Sequence, residues 1–258
     1  MSRFVPDLNH SRNVTELTLR VYLLGPAWIQ WQGQALSIGR RQTRALLYCL
    51  AAKRHPVARE ELCFGFWPDR ADAQAHRQLS HLLSHLRTAL PDPELVQSVN
   101  DTIELDWNRV WCDASSLRAA CTSLEPENAH ELEQAIRYYR GPFLAGFSLP
   151  AAPEFELWVS EQRTLHERLY LDALRVLLRS EATFMDYDRA IKYARMYLQV
   201  DEMAEDIHRE LMILHVMAGD RPAAIQQYKR CAAVLQRELG VEPLPETRAI
   251  YKAVLQNN

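Results

Sequence analysis

The chain has 258 residues and a net charge of −3, which is enough length for one large domain or two smaller ones with buried cores. No apolar run is long enough to span a bilayer, and the first residues lack the basic-then-apolar order of a signal peptide, so we expect a cytoplasmic protein without membrane contacts. The five cysteines are scattered and have no CxxC spacing, which predicts reduced, mostly buried thiols.

The charge is distributed unevenly along the chain. The segment from Ile38 to Leu90 carries nine cationic and four acidic side chains, a net charge of +5, which leaves −8 for the rest. A basic segment beside an acidic body is typical of a nucleic-acid-binding module joined to a protein-binding module.

The first predicted elements form a small antiparallel sheet. Residues 1–16 are polar and without periodicity, and we interpret them as a tail. From Leu17 to Ile38 apolar residues alternate, with a break at Pro26, a strand around Trp28, a turn at Gln32–Gln34 and a short strand at Ala35–Ile38.

Two helices are predicted next, over Arg40–Lys53 and Arg59–Phe66. In the first, Ala45, Leu46, Tyr48 and Leu50 are expected to pack inward. Its N-terminus carries a cluster of cations, which opposes the helix dipole. Either a bound phosphate compensates or the cluster is simply solvated, and the sequence leaves both open. The cluster consists of Arg40, Arg41 and Arg44.

The third predicted helix, Asp72–Leu90 with a cap at Asp69 or Asp72, has two contrasting faces. Its leucines form one stripe at helical spacing. Its outer face has hydrogen-bonding side chains and no carboxylate, which suits a DNA groove because phosphates repel carboxylates. An ordinary amphipathic helix is the alternative. The stripe comprises Leu79, Leu82, Leu83, Leu86 and Leu90, and the outer face comprises Gln74, Arg77, His81, Ser84 and Thr88, with His85 beside them.

A hairpin follows, with strands Leu95–Val99 and Thr102–Trp107 on either side of Asn100-Asp101. The order helix, short helix, long helix, hairpin is that of a winged helix-turn-helix. The hairpin is then the wing, with Asn100, Asp101 and Thr102 at its tip.

From Asp113 onward amphipathic helices dominate, and one short pattern recurs at Ala135–Tyr138, Ala190–Tyr193 and Ala224–Tyr228. The last two copies lie 34 positions apart, the period of tetratricopeptide helix pairs. Such pairs stack into a groove that holds peptides or protein segments. The predicted fold is mainly α with a small antiparallel β part: an N-terminal winged helix-turn-helix followed by an all-α tetratricopeptide-like helical-repeat domain.

Seven segments carry a family resemblance: Leu23–Pro26, Gly39–Leu47, Arg59–Leu62, Phe66–Pro68, Ser84–Leu90, Tyr139–Leu144 and Glu238–Arg248. On these segments the chain resembles the SARP-type bacterial transcriptional activators over roughly Leu17 to Leu255. The resemblance implies an OmpR-type winged helix at 17–110 and a bacterial transcriptional activator domain at 111–258. It also implies promoter DNA and RNA polymerase subunits as partners, possible pairing of two copies on direct repeats, and no cofactor.

In a winged helix the N-terminal part of the third helix reads base edges. We therefore predict base contacts from Gln74, Arg77, His81 and Ser84, with arginine pairing to guanine and glutamine to adenine. We predict phosphate contacts from Arg40, Arg41, Arg44, His85 and Arg87. The chain departs from the family at His85, where an arginine is usual, and at the wing tip, which has no cation.

Other interpretations remain for several of these residues. His76, His81 and His85 do not supply the third or fourth ligand and the carboxylate that a zinc site needs, so we predict no metal. Trp67, Trp107 and Trp111 are expected in the core rather than in a ligand cage. Packing is likewise expected for Tyr138, Tyr139, Tyr193 and Tyr228.

Two function classes are alternatives to a DNA-binding activator. A helical-repeat interaction scaffold, with a winged helix that does not bind DNA, is the main alternative. An enzyme is not predicted, because the chain has no Walker glycine loop, GxSxG, HExxH or glycine-rich dinucleotide turn.

Overall fold

The computed structural model describes residues 19–125 and 128–256. The predicted tail at residues 1–16 lies outside this range. The strands are β1 (Leu19–Tyr22), β2 (Trp28–Trp31), β3 (Gln34–Leu36), β4 (Val57–Ala58), β5 (Val96–Val99), β6 (Thr102–Leu105) and β7 (Val110–Cys112). The helices are α1 (Arg41–Lys53), α2 (Arg59–Phe66), α3 (Asp72–Ala89), α4 (Asp113–Ala120), α5 (Ala129–Ile136), α6 (Pro153–Thr183), α7 (Tyr187–Val200), α8 (Glu205–Met217), α9 (Arg221–Leu239) and α10 (Pro245–Gln256).

The first sheet has four strands in the order β3-β2-β1-β7. β1 and β2 pair antiparallel with Val21 opposite Ile29, and β2 turns into β3 through Gln32 and Gly33, which have φ values of 49° and 84°. Positive φ at both positions is the geometry of a tight hairpin turn that suits the strand twist. The predicted antiparallel sheet is confirmed, but β7, which pairs parallel to β1, was not predicted.

The winged helix-turn-helix is confirmed. α1 and α2 both pack against α3, and the core between them includes Leu46, Leu62 and Leu83. The second sheet, in the order β4-β6-β5, contains the predicted hairpin, with Asn100 at φ 53° in its turn. The hairpin is therefore the wing of this fold.

The predicted cap of α3 is wrong. The N-cap residue is Ala71, which has a non-helical backbone (φ −56°, ψ 137°) and makes no side-chain hydrogen bond to the helix. Asp72 is the first helical residue, and the Ala71 carbonyl accepts from the amide of Ala75 at 3.0 Å. The segment Trp67–Arg70 forms a turn of its own, which moves Asp69 away from the helix end. Asp72 is still placed where a carboxylate favours the helix dipole.

The four C-terminal helices α7 to α10 form two successive pairs, as the 34-residue period predicts. α7 and α9 begin 34 positions apart, and each is capped by an aspartate that accepts from the amide three residues later. α7 packs on α8, α8 on α9, and α10 on both α8 and α9. This confirms the tetratricopeptide-like repeat for the second and third copies of the pattern.

The contacts divide the described residues into two compact units. One contains the chain up to Ala119 together with Tyr138–His166, and the other contains Ala120–Arg137 and the chain from Glu167 on. Helix α6 therefore begins in the first unit and ends in the second. The predicted domain boundary at residue 110 stays a prediction, while the segment Tyr139–Leu144 belongs to the first unit.

The three tryptophans predicted for the core are only half-buried. In β7 the neighbours Val110 and Cys112 are buried, so strand alternation turns Trp111 to the other face, where it meets Tyr22 and Tyr138 edge-on. Trp67 ends α2 and tilts against Phe66. Trp107 follows β6 and is also half-buried.

The predicted packing of the recurring tyrosines is confirmed where contacts are described. Tyr193 is buried, and the ring of Tyr228 stacks on that of Tyr251 with 3.9 Å between the ring centroids. The cysteines are confirmed as free and buried. No helix in the described ranges combines the length and apolarity that crossing a bilayer requires.

Candidate nucleic-acid interface

The outer face of α3 is the centre of the candidate interface. Gln74, Arg77, His81 and Ser84 are all exposed, whereas Leu79 and Leu83 on the opposite face are buried. After Asp72, the helix carries no acidic side chain. A full row of hydrogen-bonding side chains is thus presented to solvent without a carboxylate among them.

Arg77 is held along the helix by a hydrogen bond from its Nε to the Ala73 carbonyl, at 3.2 Å. Its Nη groups have no hydrogen-bond partner within the part of the chain that the structure describes. Because a guanidinium presents two parallel donors, these Nη groups are free for a bidentate acceptor such as the edge of guanine.

A second group of donors gathers where α1 begins. Arg40 is the N-cap residue, makes no side-chain cap, and no acidic residue follows in the first turn. Its Nη1 donates to Nε2 of His85 on α3. The two side chains line a cavity of about 270 Å³. The buried Thr43 also lines this cavity. The Thr43 hydroxyl has no hydrogen-bond partner among the described residues. Backbone amides at a helix start together with cations form an anion-binding arrangement.

Two of the predicted phosphate-binding arginines also have contacts within the protein. Arg44 is half-buried, with its guanidinium 5.7 Å from the centre of the Phe147 ring. Arg87 donates from Nε and Nη2 to the Val96 carbonyl, at 3.2 and 3.1 Å, and from Nη2 to the Ser98 hydroxyl. Arg87 therefore ties the last turns of α3 to β5 of the wing. Arg41, in contrast, is exposed at the start of α1.

The wing tip is held to the start of α2. Asp101 accepts the amide of Arg59 at 3.0 Å through its carbonyl, and its carboxylate lies 3.9 Å from the Arg59 Nε. Asn100 and Asp101 are exposed and Thr102 is half-buried. The tip presents a carboxylate rather than a cation, so it does not offer the arginine that enters a minor groove in other winged helices.

The three histidines of α3 have different surroundings. His76 is half-buried beside Asp72, with 3.9 Å between Nε2 and the carboxylate, whereas His81 and His85 are exposed. The described residues contain no group of three His, Cys, Asp or Glu side chains placed to hold a metal ion.

Sequence reasoning missed Asp113, a fully buried carboxylate in the first unit. It accepts the amides of Leu23 and Leu24 at 2.7 and 3.1 Å, and Arg140 lies 3.5 Å away. Asp113 thereby connects Leu23–Pro26 with Tyr139–Leu144, two segments of the family resemblance that are far apart in sequence. An acidic residue at the start of the predicted helical region was the available signal, but its partners 89 and 90 positions away were not recognisable.

Residues 105–255 match the sequence model of the family "Bacterial transcriptional activator domain". The transcriptional regulatory protein MoaR1 of Mycobacterium tuberculosis is 26% identical over 268 residues, covering 96% of this chain and 84% of MoaR1. The regulatory protein AfsR of Streptomyces coelicolor is 26% identical, covering 92% of this chain and 24% of AfsR.

A solved structure of Mycobacterium tuberculosis EmbR, in complex with a low affinity phosphopeptide, is also similar. Its TM-score is 0.64 at 22% identity, and the match covers 93% of this chain and 66% of EmbR. At this level of identity the likeness concerns the fold, and it agrees with a winged helix followed by helical repeats.

Proposed function

We propose that this chain, which belongs to the family of SARP-type bacterial transcriptional activators, binds promoter DNA by placing α3 in the major groove. The family and its named relatives are transcriptional regulators and not enzymes. The observation that carries the DNA-binding proposal is the exposed outer face of α3, which bears donors and acceptors and no carboxylate.

Base reading is assigned to four residues on that face. Arg77 pairs with guanine and Gln74 with adenine, since these side chains match the two donor–acceptor patterns of the major groove. His81 and Ser84 lie one and two turns further along the same exposed face and contact adjacent bases.

Phosphate binding is assigned to the cations around the base-reading face. Arg40, Arg41 and His85 lie at the start of α1 and the end of α3, where uncapped backbone amides add to the attraction for an anion. Arg44 and Arg87 belong to the same proposal and keep their contacts with Phe147 and β5 while bound. Such contacts supply affinity and its salt dependence rather than sequence choice.

The helical repeats are assigned to protein contacts. Stacked helix pairs present a groove that holds peptide segments. We propose that it contacts RNA polymerase subunits or regulatory partners in the cytoplasm, and that two copies bind side by side on direct promoter repeats.

The first experiment measures base reading. A duplex is selected from a random-sequence pool with the wild-type chain, and gel-shift titrations compare wild type with Arg77→Ala. We expect binding to weaken by about 1–3 kcal/mol and specificity to relax at one base pair. The control is Arg168→Ala, which removes an exposed arginine on α6 that lies outside the winged helix. Equal affinity of wild type and Arg77→Ala would contradict the assignment.

The second experiment measures phosphate contacts through the salt dependence of affinity. Arg40→Ala and Arg41→Ala should each reduce the slope of log affinity against log salt by roughly one unit. The same titration is applied to Arg44→Ala, His85→Ala and Arg87→Ala. Unchanged slopes in all five variants would assign these side chains elsewhere, and a wild-type chain that ignores duplex DNA at low salt would favour the scaffold alternative.

A further inference from the structure

The C-terminal unit contains a groove that the DNA-binding proposal does not use. Its volume is about 490 Å³, and it runs between α7, α8 and α9. The helices α7 and α9 are the first members of their repeat pairs. The lining of the groove includes Arg195, Leu198, Gln199, Leu211, Gln226 and Arg230.

The two arginines of this groove differ from the others around them. In the described chain from Glu167 on, Arg195 and Arg230 make no hydrogen bond or ion pair. The remaining arginines there have a carboxylate, hydroxyl or carbonyl partner: these are Arg168, Arg175, Arg179, Arg189, Arg209, Arg221, Arg237 and Arg248. Both unpaired arginines are exposed, and they line the same groove.

The rest of the lining leaves these two charges uncompensated. No carboxylate lines the groove, and exposed Gln199 and Gln226 add further donors. The floor is apolar, with Leu198 and Leu211 buried beneath the rim. His215 is also buried, and its burial, followed by the charge of Arg195, lowers its pKa below the usual value. A groove with an apolar floor and a cationic rim is complementary to a segment that alternates apolar and acidic side chains.

We propose that this groove binds an acidic segment of a protein partner, whose carboxylates pair with Arg195 and Arg230 and whose apolar residue lies on Leu198 and Leu211. A peptide fits better than nucleic acid, because no Phe, Tyr or Trp lines the groove to stack on bases. The biological role rests on the protein-contact part of the proposed function, but the binding itself does not require DNA.

The test uses fluorescence anisotropy with a labelled 12-residue peptide of repeated Glu-Glu-Leu and its Lys-Lys-Leu counterpart. Wild type should bind the acidic peptide and not the basic one. The double variant Arg195→Glu/Arg230→Glu should bind the acidic peptide at least about tenfold more weakly, since charge-assisted hydrogen bonds are lost. Arg195→Gln/Arg230→Gln should also weaken binding, without introducing new charges.

The matched control is Lys192→Glu/Lys229→Glu, which changes the net charge equally on the same two helices but outside the groove lining. It should weaken peptide binding several-fold less than Arg195→Glu/Arg230→Glu does, because these lysines do not line the groove and pair with no carboxylate of the bound peptide. Equal loss in both charge-reversal variants, or no binding by wild type, would overturn the proposal. Circular dichroism melting of each variant shows whether a loss of peptide binding comes from unfolding. If the Glu variant unfolds, the peptide affinity of Arg195→Gln/Arg230→Gln tests the proposal.

Gel shifts with the selected duplex separate this proposal from the DNA-binding one. The groove variants should bind DNA like wild type. If Arg195→Gln/Arg230→Gln weakens DNA binding as much as peptide binding, the groove serves nucleic acid and the peptide proposal fails. If wild type binds the acidic peptide but no duplex, the DNA-binding proposal fails and this one stands.

Discussion

At the scale of single residues, Asp113 connects distant parts of the first unit through hydrogen bonds that its sequence context does not indicate. Its side chain is fully buried and accepts three backbone amides, those of Leu23, Leu24 and Ala114, at 2.7 to 3.1 Å. Burial raises the pKa of this carboxyl above its usual value, although the amides and Arg140 act in the opposite direction. The residue thus ties the end of β1 to the start of α4.

Removing this acceptor should destabilise the protein. Asp113→Ala strands three buried donors, and we expect a loss of roughly 2–5 kcal/mol in the free energy of unfolding, measured by urea denaturation. Asp113→Asn keeps one oxygen that can still accept the amides of Leu23 and Ala114, but its NH2 group leaves the Leu24 amide without an acceptor, so its loss should be smaller than that of Asp113→Ala. Equal losses in the two variants would show that the amide contacts contribute little.

At the scale of elements, the segment after β1 and the segment around Pro142 pair through their backbones. Gly25 donates to the Pro142 carbonyl at 3.2 Å, and Leu144 donates to the Leu23 carbonyl at 2.7 Å. Gly25 has φ 114°, and a Cβ at this position would lie 3.1 Å from the Cβ of Arg140. The close approach of these two segments therefore requires glycine.

Glycine at position 25 is required for its positive φ and for its close approach to Arg140, and two replacements separate these effects. Gly33→Ala, at φ 84° with open space around it, should cost only the backbone strain, about 1–2 kcal/mol. Gly25→Ala adds a steric conflict with Arg140, and we expect a loss about twofold larger. Urea denaturation of both variants measures the difference, and a Gly33→Ala loss as large as that of Gly25→Ala would contradict the steric argument.

At the scale of the whole molecule, three buried histidines make stability depend on pH. Burial is the main cause that lowers the pKa of His166, His208 and His215 below the usual value of 6.5. His166 is fully buried and stacks on Phe143, and Gln227 contacts His208 at 2.6 Å. The folded protein therefore keeps these rings neutral where the unfolded chain binds protons.

The sign of this linkage predicts acid destabilisation. Below about pH 6.5 the unfolded state binds more protons than the folded state, so the free energy of unfolding should fall as pH falls from 7.5 to 5.5. Urea midpoints across this range measure the effect. His166→Phe should reduce the slope of the urea midpoint against pH. A midpoint that does not vary with pH in wild type would contradict this account.

Features set by short stretches of sequence were predictable. Helical spacing and the flanking Pro68 and Pro91 placed α2 and α3 within a residue of their observed ends, and Asn100-Asp101 placed the wing turn. The same spacing exposes Gln74 and Arg77, so the solvent-exposed face of α3 could be named from the sequence. Local backbone preference and burial of one face suffice for such elements.

Features that depend on distant partners required the tertiary structure. The parallel pairing of β7 with β1, the burial of Asp113 and the link from Arg87 to the wing join segments whose sequences show no common pattern. The same holds for the groove, since a list of arginines does not show that Arg195 and Arg230 alone among those described after Glu167 lack a partner. By itself the sequence determined which segments become helices, strands and turns, because those choices depend on neighbouring residues. Only the folded chain decided which buried groups meet and which charges stay unpaired, because those contacts depend on where packing brings distant segments together.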